Sequence, residues 1–196
     1  MHAIGDEARA PTTPDTLHLA QRSSADGTFV FGDGSHPTTR LCAGAIDLLC
    51  RQHPVRAVLD VGTGTGILAR IARARGATFV AGTDIDPAAL VTATANAALD
   101  DPGVPIHFGD ELPDAWGPVF DLVVANILAE PLVALAPRLA GALTAGGLLL
   151  ISGFTRLQAQ FLRQSFETHG LVCEREARDG EWVLLLFRRS APGGQP

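Results

Sequence analysis

At 196 residues the chain is long enough for one domain with a substantial core and too short for two ordinary ones. An apolar content of 46% with 18% charged residues fits a compact globular protein, and a net charge of −6 gives no general attraction for phosphate backbones, so nucleic acid is a weak candidate partner. All fifteen basic side chains are arginine and tyrosine is absent, which excludes a Schiff-base lysine, a P-loop lysine and a tyrosine–lysine dehydrogenase pair.

In chain order, residues 1–25 are largely polar with two prolines, Pro11 and Pro14, and are expected to be loosely ordered. The opening lacks a cationic start followed by an apolar stretch, and no run of about eighteen apolar residues occurs later, so a cytoplasmic protein without a membrane span is expected. The glycine-rich stretch Phe31-Gly-Asp-Gly-Ser-His36 leads into a helix over Pro37–Arg51 with Leu41, Ala45, Leu48 and Leu49 on one side. A helix starting at Pro37 turns its free N–H groups and the hydroxyls of Thr38 and Thr39 toward what precedes it, a setting that favours an anionic group such as a cofactor carboxylate.

From Val55 onward short apolar strands alternate with helical stretches. Strands are expected at Ala57–Val61, Phe79–Thr83, Ile106–Phe108, Leu122–Ala125 and Leu148–Ser152, each short and mainly apolar, as expected of strands covered on both faces. Helices are expected at Ile67–Arg75, Pro87–Leu99, Glu130–Leu143 and Thr155–His169. Two last strands, Val172–Ala177 and Val183–Phe187, flank Asp179-Gly180, a hairpin turn signal. The expectation is an α/β fold, doubly wound and Rossmann-like, ending in an antiparallel pair, with residues 190–196 a disordered tail. Cys42, Cys50 and Cys173 have no CxxC spacing and are expected to be buried free thiols in a reducing cytoplasm. No histidine has a metal-ligand partner at a recognisable spacing, so no metal is expected.

The run Val58-Leu-Asp-Val-Gly62-Thr-Gly-Thr-Gly66-Ile-Leu68 carries an apolar strand into a glycine turn and then a helix. Glycines there let the backbone bend and approach a ligand without a Cβ in the way. Asp84, twenty-two residues after Gly62, ends the next strand, where a carboxylate can accept hydrogen bonds from two ribose hydroxyls. Nicotinamide dehydrogenases use the same logic with GxGxxG. Here the pattern is GxGxG with Asp60 two residues before it, pointing to S-adenosylmethionine, whose amino group Asp60 would receive; a cap within the turn is the structural alternative. Asn126 closes the fourth strand, beside the transferring methyl group, where its amide can accept a hydrogen bond from an incoming amine and orient the lone pair; a loop cap is the structural alternative. His36 is either a general base, since a lysine ammonium with pKa about 10.4 must lose a proton before attack, or a residue that shapes the start of the helix.

These runs, together with Asp84-Ile-Asp-Pro87, Ala125-Asn-Ile-Leu128, Gly146-Gly147, Ser152-Gly153 and Glu181-Trp182, resemble the PrmA family from about Phe31 to Phe187. That family methylates a large-subunit ribosomal protein on lysine side chains and its N-terminal amine. The resemblance implies a class I methyltransferase domain over 26–189 with a seven-stranded sheet, no metal, and S-adenosylmethionine as cofactor. The candidate cofactor-binding set is Phe31, Thr39, Asp60, Gly62, Thr63, Gly64, Asp84, Ile85 and Asn126, with Asn126 and His36 as candidate catalytic residues. The sequence departs from the family in having only about thirty residues before the motif, where PrmA enzymes carry a domain that grips the ribosomal protein, and in Gly32-Asp-Gly-Ser35, where the family usually has GTGT. The added Asp33 would attract a cationic amine or stand as a solvated loop charge. The acceptor is a ribosomal or other protein, or a small molecule; a non-catalytic cofactor-binding partner subunit is the third alternative.

Overall fold

The computed structural model describes residues 30, 32, 34–100, 105–110 and 117–190. The expected loose ends, residues 1–25 and all of 190–196 but Ser190, lie outside the described residues, as do His2, His18, Phe31 and Asp33. The elements are α1 (Pro37–Gln52), β1 (Ala57–Val61), α2 (Ile67–Ala74), β2 (Phe79–Thr83), α3 (Pro87–Ala97), β3 (Ile106–Gly109), β4 (Phe120–Asn126), α4 (Ala129–Ala142), β5 (Leu143–Thr155), α5 (Arg156–Glu167), β6 (Leu171–Asp179) and β7 (Trp182–Arg189). Their order is the one the sequence leads one to expect. They form one seven-stranded sheet, β3-β2-β1-β4-β5-β7-β6, parallel from β3 to β5 and antiparallel at β7 and β6.

Side chains alternate across this sheet, as a strand period of two requires, and both sides are apolar. Val58, Leu122, Val124, Leu148, Leu150, Leu184 and Leu186 pack against α1 and α2. Leu59, Val123, Ala125, Leu149, Ile151, Val183 and Leu185 point the other way, against α4 and α5. Burying a side chain of this size contributes about 1.5–3 kcal/mol, so both layers of helices are held by the uninterrupted apolar runs that mark the strands in sequence. No described helix is long and apolar enough to cross a membrane.

β5 is longer than the expected Leu148–Ser152, and the expected helix end at Leu143 becomes the first strand residue. The Thr144-Ala-Gly-Gly147 stretch forms a bulge along β4: Phe120 pairs with Leu143, and the ladder resumes at Leu122 with Leu148. Gly146 takes a φ of 76°. A Cβ on Gly147 would stand 3.0 Å from the Thr144 carbonyl oxygen and 3.1 Å from that of Phe120.

One charged cluster ties α2 to the end of α3. Arg70 is 1% exposed, and its guanidinium donates from Nε to Asp100 Oδ2 at 2.8 Å and from Nη2 to Oδ1 at 2.5 Å. Arg73 reaches Oδ2 at 2.5 Å. The hydrogen bonds from Arg70 hold the Asp100 carboxyl below the ordinary carboxylate range.

Candidate functional site

The turn after β1 explains its own glycines. Gly62, Gly64 and Gly66 have φ of 70°, 53° and 79°, a left-handed region that costs other residues free energy. The amides of Gly62 and Thr63 both donate to the Thr83 carbonyl, at 2.8 and 2.9 Å, binding the turn to the end of β2. From β2 a carboxylate reaches back: Asp84 Oδ2 accepts from the Gly64 amide at 2.9 Å and Oδ1 from the Asp86 amide at 3.0 Å. Strand ends and turn thus form one rigid cradle, with Gly62, Gly64, Asp84 and Ile85 on its open side.

Asp60 stands behind that cradle. It is 1% exposed. Its Oδ2 accepts from Thr63 Oγ1 at 2.7 Å and from the Ala69 amide, in the first turn of α2, at 3.2 Å. Its Oδ1 is buried with no hydrogen-bond partner. Burial pushes the carboxyl up to about 6, against the pull of those two donors. The first turn of α1 holds another orphan, the buried hydroxyl of Thr39. On the buried face of α1, burial also drives the Cys42 thiol upward, which leaves it a protonated core side chain; Cys50 and Cys173 are free thiols too, but only half-buried, because their positions on α1 and β6 face the edge of the core.

The end of β4 supplies the opposite wall. Asn126 pairs in register with Ser152 of β5, is 9% exposed, and presents a side-chain oxygen with no hydrogen-bond partner. Such an atom costs about 1–3 kcal/mol, so it marks a place kept for something else. Ile127 follows, seated between two glycines: a Cβ on Gly62 would stand 2.1 Å from Ile127 Cγ2, and one on Gly153 would stand 2.2 Å from the Ile127 carbonyl oxygen.

The start of α1 closes the cleft. His36 is the N-cap residue of α1: its Nδ1 accepts from the Thr38 amide at 3.3 Å and lies 2.8 Å from Thr38 Oγ1. Of the two readings of His36, helix shaping is therefore visible directly. Its ring meets that of Trp182 edge to face, with centroids 4.8 Å apart. Thr65 Oγ1 donates to the Gly32 carbonyl at 2.6 Å, which ties Gly32 to the glycine turn. Arg40 donates to the Ser35 carbonyl and, at 2.7 Å, to Asp179 in the β6–β7 hairpin.

Together these walls enclose a cleft of about 1150 Å³ at the carboxyl ends of the parallel strands, where doubly wound sheets bind their ligands. Among the sequence-derived residues it brings together His36, Gly62, Gly64, Asp84, Ile85 and Asn126; Thr39, Asp60 and Thr63 lie buried just behind the lining. Sequence reasoning missed Asp110, Ile127, Gly153 and Trp182, all on the lining. Asp110 was within reach, because it follows β3 as Asp84 follows β2.

Comparison with known proteins gives a consistent set of relatives. A family profile described as ribosomal protein L11 methyltransferase (PrmA) matches residues 22–190. A protein named ribosomal protein L11 methyltransferase from Pelobacter propionicus is 40% identical over 184 residues, covering 92% of this chain and 58% of its own length. One of the same name from Geobacter sulfurreducens is 47% identical over 164 residues, covering 83% and 53%. The chain therefore spans little more than half the length of these relatives. A crystal structure described as ribosomal protein L11 methylase from Lactobacillus delbrueckii subsp. bulgaricus superposes with a TM-score of 0.72 at 36% identity, covering 80% of this chain and 81% of that one. A magnesium protoporphyrin IX methyltransferase from Synechocystis with bound SAM has a TM-score of 0.63 at 21% identity, over 77% of this chain and 79% of its own, a likeness of fold alone.

Proposed function

The chain belongs to the ribosomal protein L11 methyltransferase (PrmA) family, and from that premise we propose that it transfers methyl groups from S-adenosylmethionine to an amine nitrogen of a protein, with ribosomal protein L11 as the acceptor and the cytoplasm as its place of work. The observation that carries this reading is Asn126: a buried amide oxygen without a partner, on the wall that faces the glycine cradle.

The residues present fit the cofactor. Asp84 retains acceptor capacity for ribose hydroxyls beyond the two amides it holds. Ile85, 94% exposed, and Asp110 offer an apolar face and a carboxylate at the ends of β2 and β3 for the base. The orphaned Asp60 Oδ1 and Thr39 Oγ1 suit an ammonium and its hydration, and the N-terminus of α1 suits a carboxylate. Phe31 belongs to the proposed set by sequence. When bound, the cofactor supplies a methyl group on a cationic sulfur, open to in-line displacement.

The protein's part is to present a neutral amine in line. Asn126 Oδ1 accepts an N–H of the amine and turns its lone pair toward the methyl group. His36, with Nδ1 engaged by Thr38, holds the first turn of α1 against Trp182 so that the cleft keeps its shape. The test is methyl transfer from isotopically labelled S-adenosylmethionine by the full chain, with purified L11 in one arm and a cell extract in the other. Label is expected in L11. Label only in another molecule would replace the acceptor, and cofactor binding with no transfer anywhere would make the chain a binding module. Lysine automethylation cannot confuse the result, because the chain has no lysine.

A further inference from the structure

The side chain that follows Asn126 is not accounted for by cofactor binding or by the hydrogen bond to the amine. Ile127 lines the cleft, and it is fixed there. Gly62 leaves its Cγ2 room to sit over the glycine turn, and Gly153 lets its carbonyl lie against β5; a Cβ at either glycine would come within 2.1 or 2.2 Å. A branched side chain clamped in this way is a rigid apolar surface next to the one orphaned acceptor on the same wall.

Amine chemistry gives that surface a task. In each transfer the nitrogen lone pair forms the new N–C bond while the methyl–sulfur bond breaks and its electron pair stays on sulfur. The nitrogen becomes cationic and must shed a proton to water before it attacks again. A neutral primary amine has two N–H groups for Asn126 to accept, a secondary amine one, and a tertiary amine none. The hydrogen bond that orients the first transfer therefore weakens as a guide and is absent for a tertiary amine, whereas contact with an apolar wall grows as methyl groups are added.

Resting on the methyltransferase reading above, we propose that Ile127 is a positioning residue for successive methylation: its clamped side chain holds amines that already carry methyl groups in line, as Asn126 holds the unmethylated one.

The experiment follows the mono-, di- and trimethylated forms of purified L11 with time by mass spectrometry, using the full chain as wild type, Ile127→Ala and Ile127→Val, with cofactor affinity measured in parallel by titration calorimetry. Ile127→Ala is expected to let the first methyl group on at a rate within a few-fold of wild type and to slow the last by at least about tenfold, as loss of in-line placement does, so that partly methylated L11 accumulates. Ile127→Val, which keeps the branched Cβ, is expected to restore most of the progression. Uniform slowing of every step by Ile127→Ala, or weaker cofactor binding with the same product pattern, overturns the proposal, as does a wild type that stops after one methyl group. A wild type that binds S-adenosylmethionine but methylates nothing overturns the underlying reading and this inference with it.

Discussion

In the proposed reading the cofactor side of the cleft is built mainly by one continuous stretch of chain, Asp60 to Asp86, through three left-handed glycines, amide hydrogen bonds of the turn, and a carboxylate reaching back from the end of β2, with Asp110 and the first turn of α1 added to it. The proposed acceptor side is drawn from distant segments: His36 before α1, Asn126 at the end of β4 and Ile127 after it, Gly153 near the end of β5, and Trp182 at the start of β7. Local backbone geometry makes the first side; sheet order makes the second. Damage to the two should therefore separate, except at Gly62, where Ile127 of one side rests on the turn of the other.

The sharpest separation is expected from Asn126→Ala. Turnover should fall by about a hundredfold or more, as when one aligned polar contact is lost in a closed site, while the cofactor dissociation constant moves by less than about threefold, under 1 kcal/mol. Parallel kinetics and titration calorimetry would check this, and an equal loss of both would merge the two sides.

Gly62→Ala should break the division in the opposite sense. The new Cβ meets both the positive φ and the Ile127 methyl group, at a cost of about 2–4 kcal/mol, seen as a lower Tm with binding and transfer both impaired. In the double variant with Ile127→Ala, part of the loss should return, with a coupling of about 1 kcal/mol. Strict additivity would mean that the contact is not what matters.

Asp60→Asn sets stability against binding within the cofactor side. Burial raises the folded carboxyl from 3.8 to about 6, so the folded state holds the proton more tightly than the unfolded chain does. The stability this gives is present below about pH 4 and is lost as pH rises through about 6. The amide removes that penalty, so the ligand-free variant should melt a few degrees higher at pH 7.5, about 1 kcal/mol in its favour. The advantage should vanish near pH 4, and S-adenosylmethionine should bind more weakly. A variant less stable than wild type at pH 7.5 would show that the unpaired amide N–H group outweighs the relieved charge.

The smallest effect is expected at the outer tie between α1 and the β6–β7 hairpin, within the acceptor side. Arg40 and Asp179 are 53% and 40% exposed, so Arg40→Ala should cost under about 1 kcal/mol, less still in high salt. A larger loss of cofactor affinity would make the hairpin part of the cofactor side.

The same division explains what could be read from sequence. The glycine spacing, Asp60 and Asp84 were legible because a turn and the strand ends beside it leave a local pattern. The order of elements followed from apolar runs alternating with helical ones. Asn126 was legible by rule, because strand ends line the crevice. Ile127 stood in a run that carries the family resemblance, but its place on the lining was not legible, because that depends on two glycines distant in sequence, Gly62 and Gly153. Trp182 needed the β7 register to bring it to His36, and the early start of β5 was hidden because Gly146-Gly147 has the same composition in a bulge as in a turn.

Gly62, Ile127 and Gly153 fill one another's space, and this ties three distant positions into a single heritable unit. A larger residue at Gly62 would be tolerated only after the side chain at position 127 had shrunk, whereas one at Gly153 would meet the Ile127 backbone, which no choice of side chain at 127 relieves. Drift at these positions should therefore be correlated among relatives, and a graft of the glycine turn into another sheet of this order should work only when the host carries a compatible residue after its fourth strand.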